Sequence, residues 1–360
     1  LKQETLEKQQ EDLTKQRDAV KYRLRKLSAR QSEITKKSSS IREGLVLKYQ
    51  EMRDVLDEDL RTTLSHLELE ERAAVSALDG FMERNFCLVQ ELEQELDRLT
   101  LAMEQMHLQP ETTLEDSEER VLETLTRTDP SHVTLDQAKS EQLQNLSHNL
   151  LQLIQSQTPL MGRLLHSYSS EVHLNPDSAH PKLLLSSGGD SVSFSDAWQD
   201  VPDNRTRFDS TLYVLSTQAF SCGRHYFELD VSGKTYWELG VTYPSIPRKG
   251  PSEACWLGRG GESWCMEYFD GEYTAWHGGI PHQLPVLKRY SHVGVLCSFP
   301  AGQVIFLEAD KMTPLFSFCV GTFADSLHLA LCPGHDHNGT NTKPIRVCNA
   351  PCPPPVTCDS

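Results

Sequence analysis

Three groups of residues have types and spacings that could do chemistry. Cys332, His335, Asp336 and His337 stand close enough together to offer a thiolate, two imidazoles and a carboxylate to a metal ion. Gly258-Arg259-Gly260-Gly261 offers backbone amides to a phosphate, but the Lys-Ser or Lys-Thr that completes a phosphate loop does not follow it. Ser, His and Asp are all present, yet no Gly-x-Ser-x-Gly elbow presents a nucleophile. The ten cysteines include no Cys-x-x-Cys pair, so no zinc-finger framework is written in this chain. The first group reads more simply as a polar loop after a strand, with Cys332 as a small core residue. Catalytic residues, metal ligands and cofactors are therefore not expected in this chain, and its function rests on recognition.

The elements that must position any recognising residues fall into two halves of different composition. Residues 1–108 contain no proline and only two glycines, Gly44 and Gly80, and are dominated by Leu, Glu, Gln, Lys and Arg. Leu6, Leu13, Val20, Leu27, Ile34 and Ile41 recur every seven residues. Leu45, Leu56, Leu67, Leu78 and Val89 then recur every eleven, and Val89, Leu96 and Met103 return to seven. Heptads impose a left-handed supercoil and eleven-residue repeats relax it. The seam predicted from this pattern is Leu13, Val20, Leu27, Ile34, Leu45, Leu56, Leu67, Leu78, Val89 and Leu96. One helix with such a stripe has nowhere to bury it, so a partner helix is expected rather than a bundle folded from the same residues.

Charge selects how two copies pair. Residues 1–48 carry a net charge of +6 and residues 49–123 a net charge of −15. A parallel dimer would stack like charges, whereas an antiparallel dimer lays each basic end along the partner's acidic end. The expectation is an antiparallel homodimer with its two-fold axis near residues 56–67. Residues 109–170 follow as a short acidic helix over 111–128 and a return helix over 134–168, both packing on the coil. Pro110 should end the long helix and Pro159 should kink or break the return helix.

Residues 171–349 are rich in Gly, Pro, Trp, Tyr, Phe and Cys, with short apolar runs at intervals of about ten residues, the composition of a β-sandwich. Leu183–Leu185 reads as a strand. Runs 226–231 and 237–241 read as one hairpin, and runs 292–296 and 303–307 as another. Residues 350–360 form a Pro- and Cys-rich tail, expected to be disordered. The chain opens on Leu1 and reads as part of a longer protein. The overall charge of −16 speaks against nucleic acid as the main partner, and no apolar run reaches the roughly 18–20 residues of a membrane span. Nine cysteines fall after residue 200 at irregular spacings and read as reduced thiols in a cytoplasmic protein.

Ordered motifs in the second half match a family. Leu174-Asn175-Pro176-Asp177-Ser178-Ala179-His180-Pro181, with Leu183 and Leu185-Ser186, resembles the opening segment of PRY-SPRY domains. Arg207-Phe208, Phe220-Ser221-Cys222-Gly223-Arg224-His225-Tyr226-Phe227-Glu228 and Trp237-Glu238-Leu239-Gly240-Val241 follow in the family's order. Ser263-Trp264, Val293-Gly294-Val295, Ala301-Gly302 with Phe306, and Pro344-Ile345-Arg346-Val347-Cys348 complete it. Phe227 stands where the family usually has Trp, and Ser298-Phe299-Pro300 replaces its acidic hairpin. With the long coil in front, the chain resembles the coiled-coil plus PRY-SPRY portion of tripartite-motif (TRIM) proteins. The fold this implies is a long antiparallel dimeric coiled coil with return helices, followed by a PRY-SPRY β-sandwich.

The resemblance also implies a partner surface made by loops at one end of the sandwich. The family's pocket positions fall on Asn204, Arg205, Tyr236, Glu238, Tyr243, Glu267, Phe269, Trp276, His335 and Asp336. Aromatic residues with a few charges are what a protein-binding hot spot needs. Trp237 and Trp264 are read as core instead. The function implied is dimerisation and substrate recognition for a RING-type E3 ubiquitin ligase, whose RING lies outside this chain, in innate immune or antiviral regulation. The partners expected are a second copy and a protein substrate, which a dimer would bind best if it were multimeric. A non-catalytic scaffold is the alternative. An RNA-binding adaptor is a third reading, resting on the basic stretch from Lys21 to Lys37.

Overall fold

The computed structural model describes residues 2–104, 114–285 and 288–349, and they form two units divided at Asn145/Leu146. The first unit is built on α1, Lys2–Glu104, 103 residues without interruption. At 1.5 Å per residue it is about 150 Å long. Leu13, Val20, Leu27, Ile34, Leu45, Leu56, Leu67, Val89 and Leu96 are exposed along it in the single chain, and Leu78 is half-buried. The position of Pro110 lies outside the described residues. α2 (Leu114–Arg127) ends at Thr128, which is buried and accepts a hydrogen bond from Asn85 Nδ2 of α1 at 2.8 Å. Asp129 then starts a single 3₁₀ turn, Pro130–His132, by accepting from the Ser131 amide.

The return helix is shorter than the sequence pattern predicts and is broken at Pro159, as expected. α3 runs Gln137–Gln157 and α4 runs Leu160–His166, with Pro159 between them. Asp136 caps α3 through the Lys139 amide at 3.0 Å, which sets the start three residues after Thr134. Lys139 forms an ion pair with Glu70 of α1. Leu165 of α4 joins Tyr226, Leu307 and Met312 in a small apolar cluster on the β domain.

The second unit is a sandwich of two antiparallel sheets. Its strands are β1 (Leu183–Leu185), β2 (Ser191–Phe194), β3 (Val214–Leu215), β4 (Arg224–Asp230), β5 (Tyr236–Thr242), β6 (Ser263–Phe269) and β7 (Glu272–His277). They continue as β8 (Ile280–Leu284), β9 (His292–Ser298), β10 (Gln303–Glu308), β11 (Thr313–Cys319), β12 (His328–Cys332) and β13 (Ile345–Val347). One sheet has the order β1-β2-β13-β4-β9-β10-β11 and the other β3-β12-β5-β6-β7-β8. The β9–β10 hairpin forms as the sequence predicts, with Gln303 opposite Ser298. The β4–β5 hairpin does not. β4 lies in the first sheet and β5 in the second, so the turn between them crosses the sandwich. Both strands bury their inward faces, and placing them in opposite sheets lets Phe227 and Leu229 share one core with Trp237, Leu239 and Val241.

Period-two alternation fills that core. Trp237, Trp264, Met266, Tyr268 and Tyr273 come from the second sheet, and Val293, Val295, Val304 and Phe306 from the first. Each large side chain fully removed from water contributes about 1.5–3 kcal/mol. On the outer face of the first sheet Tyr226 is buried beneath α4, and Gly294 beside it has no room for a side chain. A Cβ there would lie 2.7 Å from the Tyr226 ring.

A buried arginine secures the PRY end. Arg207 is 3% exposed, and its guanidinium donates to the carbonyls of Pro202 (2.9 Å), Pro176 (2.7 Å) and Ala179 (2.7 Å). Three loop carbonyls with no strand partner are satisfied by one planar fork. Arg207→Ala is expected to lower stability in urea by about 2–4 kcal/mol, and Arg207→Lys to recover less than half of that, since an ammonium cannot span the three acceptors. A loss below about 1 kcal/mol in Arg207→Ala would contradict this role.

Candidate partner-binding surface

β5 alternates between two environments. Trp237, Leu239 and Val241 point into the core, while Tyr236 and Glu238 point to the outer face of the second sheet. Register decides what joins them. Tyr236 lies opposite Phe269, Glu238 opposite Glu267 and Cys332, and Cys265 opposite Trp276. Five of the predicted residues, Tyr236, Glu238, Glu267, Phe269 and Trp276, are thus brought onto one face. Phe269 is 56% exposed and meets the Tyr236 ring edge-on at 5.8 Å.

Glu238 is buried on this face, and its carboxylate is held by two phenols. Tyr213 donates to Oε2 at 2.5 Å and Tyr236 donates to Oε1. The Tyr213 hydroxyl also accepts the Leu257 amide at 3.2 Å. Burial raises the Glu238 carboxyl above its ordinary range, and the two phenol hydrogen bonds pull against that rise. Burial also raises the thiols of Cys265 and Cys332, which makes them poor nucleophiles.

Trp276 is fixed from one side by Glu267, whose Oε2 accepts the indole N–H at 2.6 Å. On its ring lies a residue the sequence reading passed over. The guanidinium carbon of Arg259 is 3.3 Å from the Trp276 centroid, and Nη2 is 3.5 Å from the same Glu267 oxygen. Arg259 stands in the Gly-Arg-Gly-Gly run, whose glycines point to backbone amides and not to this side chain. Gly258 adopts φ +74° and lies so close to Trp276 that a Cβ would fall 2.4 Å from the Trp276 Cβ.

The second wall is the loop after β12. Its organiser is Asn341, 1% exposed, which the sequence reading also passed over. Asn341 Nδ2 donates to the carbonyls of Pro333 (2.9 Å) and His335 (2.8 Å), and its Oδ1 accepts the amides of Thr235 (2.9 Å) and Tyr236 (3.2 Å). Lys234, also buried, donates to the Lys343 carbonyl at 2.7 Å. Burial pulls its ammonium down to about 8. His335 is exposed and packs edge-on against Phe194 at 5.0 Å, and His337 approaches Tyr236 at 5.9 Å. Asp336 is half-buried; its backbone carbonyl accepts the Asn341 amide at 2.8 Å. Cys332 is buried opposite Glu238. Among the described residues no group of three or more His, Cys, Asp or Glu is arranged to hold a metal ion.

The remaining predicted residues are placed differently. Asn204 is a turn residue; its Oδ1 accepts the amides of Thr206 (2.7 Å) and Arg207 (2.8 Å). Arg205 beside it is exposed. Tyr243 lies beyond the far end of β5, packed on Trp264 at 5.3 Å with its hydroxyl accepting the Ala324 amide. Seven residues of extended chain separate it from Tyr236, about 23 Å. The structure does not bring Tyr243 to the face that Tyr236 and Phe269 share.

Comparison with known proteins gives this architecture a family. The model of the SPRY-associated PRY domain matches residues 172–220, and that of the SPRY domain matches residues 224–344. The mouse E3 ubiquitin-protein ligase TRIM69 is 34% identical over 192 residues, 52% of this chain and 36% of that protein. The mouse E3 ubiquitin-protein ligase TRIM58 is 30% identical over 290 residues, 77% of this chain and 53% of that protein, a span longer than the β domain. The crystal structure of the TRIM65 PSpry domain covers 53% of this chain and 96% of that one at 25% identity, with a TM-score of 0.47. The chain spans between about a third and a half of the length of the two mouse proteins.

The raised carboxyl of Glu238 gives a pH signature. The folded protein holds this proton more tightly than the unfolded chain, so the group's contribution to stability is full below the unfolded value, near 4.3, and is lost as pH rises through the folded value. Glu238→Gln cannot ionise and should gain stability relative to wild type from acid to neutral pH. Urea unfolding at a series of pH values tests this; a difference that does not change with pH would mean that Glu238 is not perturbed.

Proposed function

Because the chain belongs to the tripartite-motif family and carries its PRY-SPRY domain, we propose that it is the dimerisation and substrate-recognition portion of a RING-type E3 ubiquitin ligase. What carries the reading is one face of the second sheet. An exposed Phe269 and a stacked Trp276 are set among carboxylates, on strands whose backbone is fully paired. A rigid aromatic anchor on a fixed scaffold is the physical basis of a protein-binding hot spot. The loop 333–341 supplies His335 and His337 at the rim, held in place by Asn341. The relatives named as E3 ubiquitin-protein ligases support the parent activity, whose catalytic module would stand outside this chain.

The exposed stripe of α1 supports a second copy of the chain as its covering partner. Covering it in the antiparallel sense sets the basic 1–48 segment against the partner's acidic 49–123 segment. Two recognition faces on one dimer would engage a repeating or multimeric substrate far more tightly than either alone. Innate immune or antiviral regulation in the cytoplasm is the setting we infer for such a substrate. Among the described residues no helix is long and apolar enough to cross a membrane. The basic stretch Lys21–Lys37 is exposed in the single chain but would be neutralised in this dimer, so protein rather than RNA is the partner favoured.

Two experiments test these readings. Proteins captured by the full chain should be lost, with affinity falling roughly tenfold or more, in a Phe269→Ala, His335→Ala double variant whose Tm moves by no more than about 2 °C. Unchanged capture would remove the assignment of this face. Single cysteines at Gln16 and at Thr100 should crosslink to each other between copies. Crosslinking of like positions only would mean that the dimer is parallel.

A further inference from the structure

One side chain already occupies part of the candidate surface. Arg259 lies between two indoles, 3.3 Å from the Trp276 centroid and 6.0 Å from that of Trp256, with Glu267 beside it at 3.5 Å. Two aromatic faces and a carboxylate around a planar cation are the elements of guanidinium recognition. The carboxylate oxygen that meets Arg259 is the one that anchors the Trp276 indole, so cation and ring are set by a single acceptor.

The backbone that carries the walls of this cage is held apart from its occupant. Trp276 is held by its place on β7 and by Glu267. Trp256 closes a 3₁₀ turn, Glu253–Cys255, with its amide on the Glu253 carbonyl. The backbone around Arg259 is tied down independently. The Gly258 amide donates to Ser263 Oγ at 2.8 Å, Gly279 donates to the Gly258 carbonyl at 3.0 Å, and Gly278 donates to the Gly260 carbonyl at 3.0 Å. Emptying the cage takes a rotamer change of the largely buried Arg259 side chain and the release of its contact with Glu267, with the backbone left in place. The surroundings suit a cation from outside as well. Glu262, Asp270 and Glu272 flank β6 and β7, and the exposed Phe269 lies two residues along from Glu267.

We propose that Trp256, Trp276 and Glu267 form a receptor for an arginine side chain of the protein partner, and that Arg259 is a resident competitor which that arginine displaces. This rests on the assignment of the β5–β7 face as the partner surface. Exchange of one stacked guanidinium for another nearly cancels, so an isolated arginine gains little from entering. A partner gains only if its arginine comes with further contacts, such as an apolar side chain for Phe269. Arg259 thus acts as a specificity device that rejects basic side chains presented alone.

The test uses the full chain with Arg259→Ala, and separately with Arg259→Gln, which keeps most of the side-chain length without the charge. Each is titrated with acetyl-Gly-Arg-Gly-amide and with the citrulline peptide of the same shape, following the indole N–H resonances of the five tryptophans. Both variants should bind the arginine peptide roughly three- to thirtyfold more tightly than wild type, the range expected of a cation–π site. They should show no comparable response to citrulline, and Glu267→Gln added to Arg259→Ala should abolish the preference. Variants that bind the arginine peptide no better than wild type, or bind citrulline equally well, overturn the proposal. The outcome is separable from that of the partner surface. If Phe269→Ala, His335→Ala spares partner capture while the emptied cage still prefers arginine, the surface assignment fails and the arginine receptor stands.

Discussion

The register of β5 against β6 is the constraint on which the rest of the β domain depends. It sends Trp237 inward to stack on Tyr268 and leaves Tyr236 and Glu238 on the outer face. A slip of one residue would exchange those faces and drive a carboxylate into the core. On the other edge of β5, its pairing with β12 sets Glu238 against Cys332, where β12 ends and the loop bearing His335 begins. Tyr236 reaches the Glu238 carboxylate from two residues away on the same face of β5, and Tyr213 reaches it from the residue before β3. The candidate surface is therefore an outcome of strand pairing, with its loops added at the margin.

Much of this was legible in the sequence, and the failures have physical causes. The seven- and eleven-residue spacing from Leu6 to Met103 marks one long helix because nothing in it breaks the backbone. Trp237 and Trp264 are read as core and are buried, since alternation in a strand leaves little choice. The turn between β4 and β5 was misread as a hairpin because a Ser-Gly turn reports a reversal of the chain and not which sheet receives it. Tyr243 enters with Tyr236 through the family's pocket positions, and a motif order does not say that an extended strand carries the two about 23 Å apart. Arg259 escaped notice because glycines around it pointed to the backbone, while its guanidinium is what meets Trp276. Asn341 belongs to no motif; only the convergence of two carbonyls and two amides on its amide group reveals it.

Arg207, Lys234 and Asn341 share one logic. Each is a polar side chain buried against loop backbone that has no strand to pair with. Loops at the end of a sandwich carry carbonyls and amides that water would otherwise satisfy, and a buried loop must find partners within the protein. These side chains let the PRY segment and the loop after β12 be fixed without being strands. Recognition loops gain rigidity in this way while their outward side chains stay free to vary.

The apolar cluster beneath α4 has a consequence for where the β domain can be cut. Leu165 contributes to the cover over Tyr226, Leu307 and Met312, and Gly162 packs against Met312. A fragment that starts at residue 171 keeps every strand and both sheets, but it strips this helix and uncovers the apolar patch around Tyr226, Leu307 and Met312. Such a fragment would fold and yet be sticky, prone to self-association through a surface the intact chain never shows. The sandwich and the seven-residue helix that precedes it share this cluster and belong in one fragment.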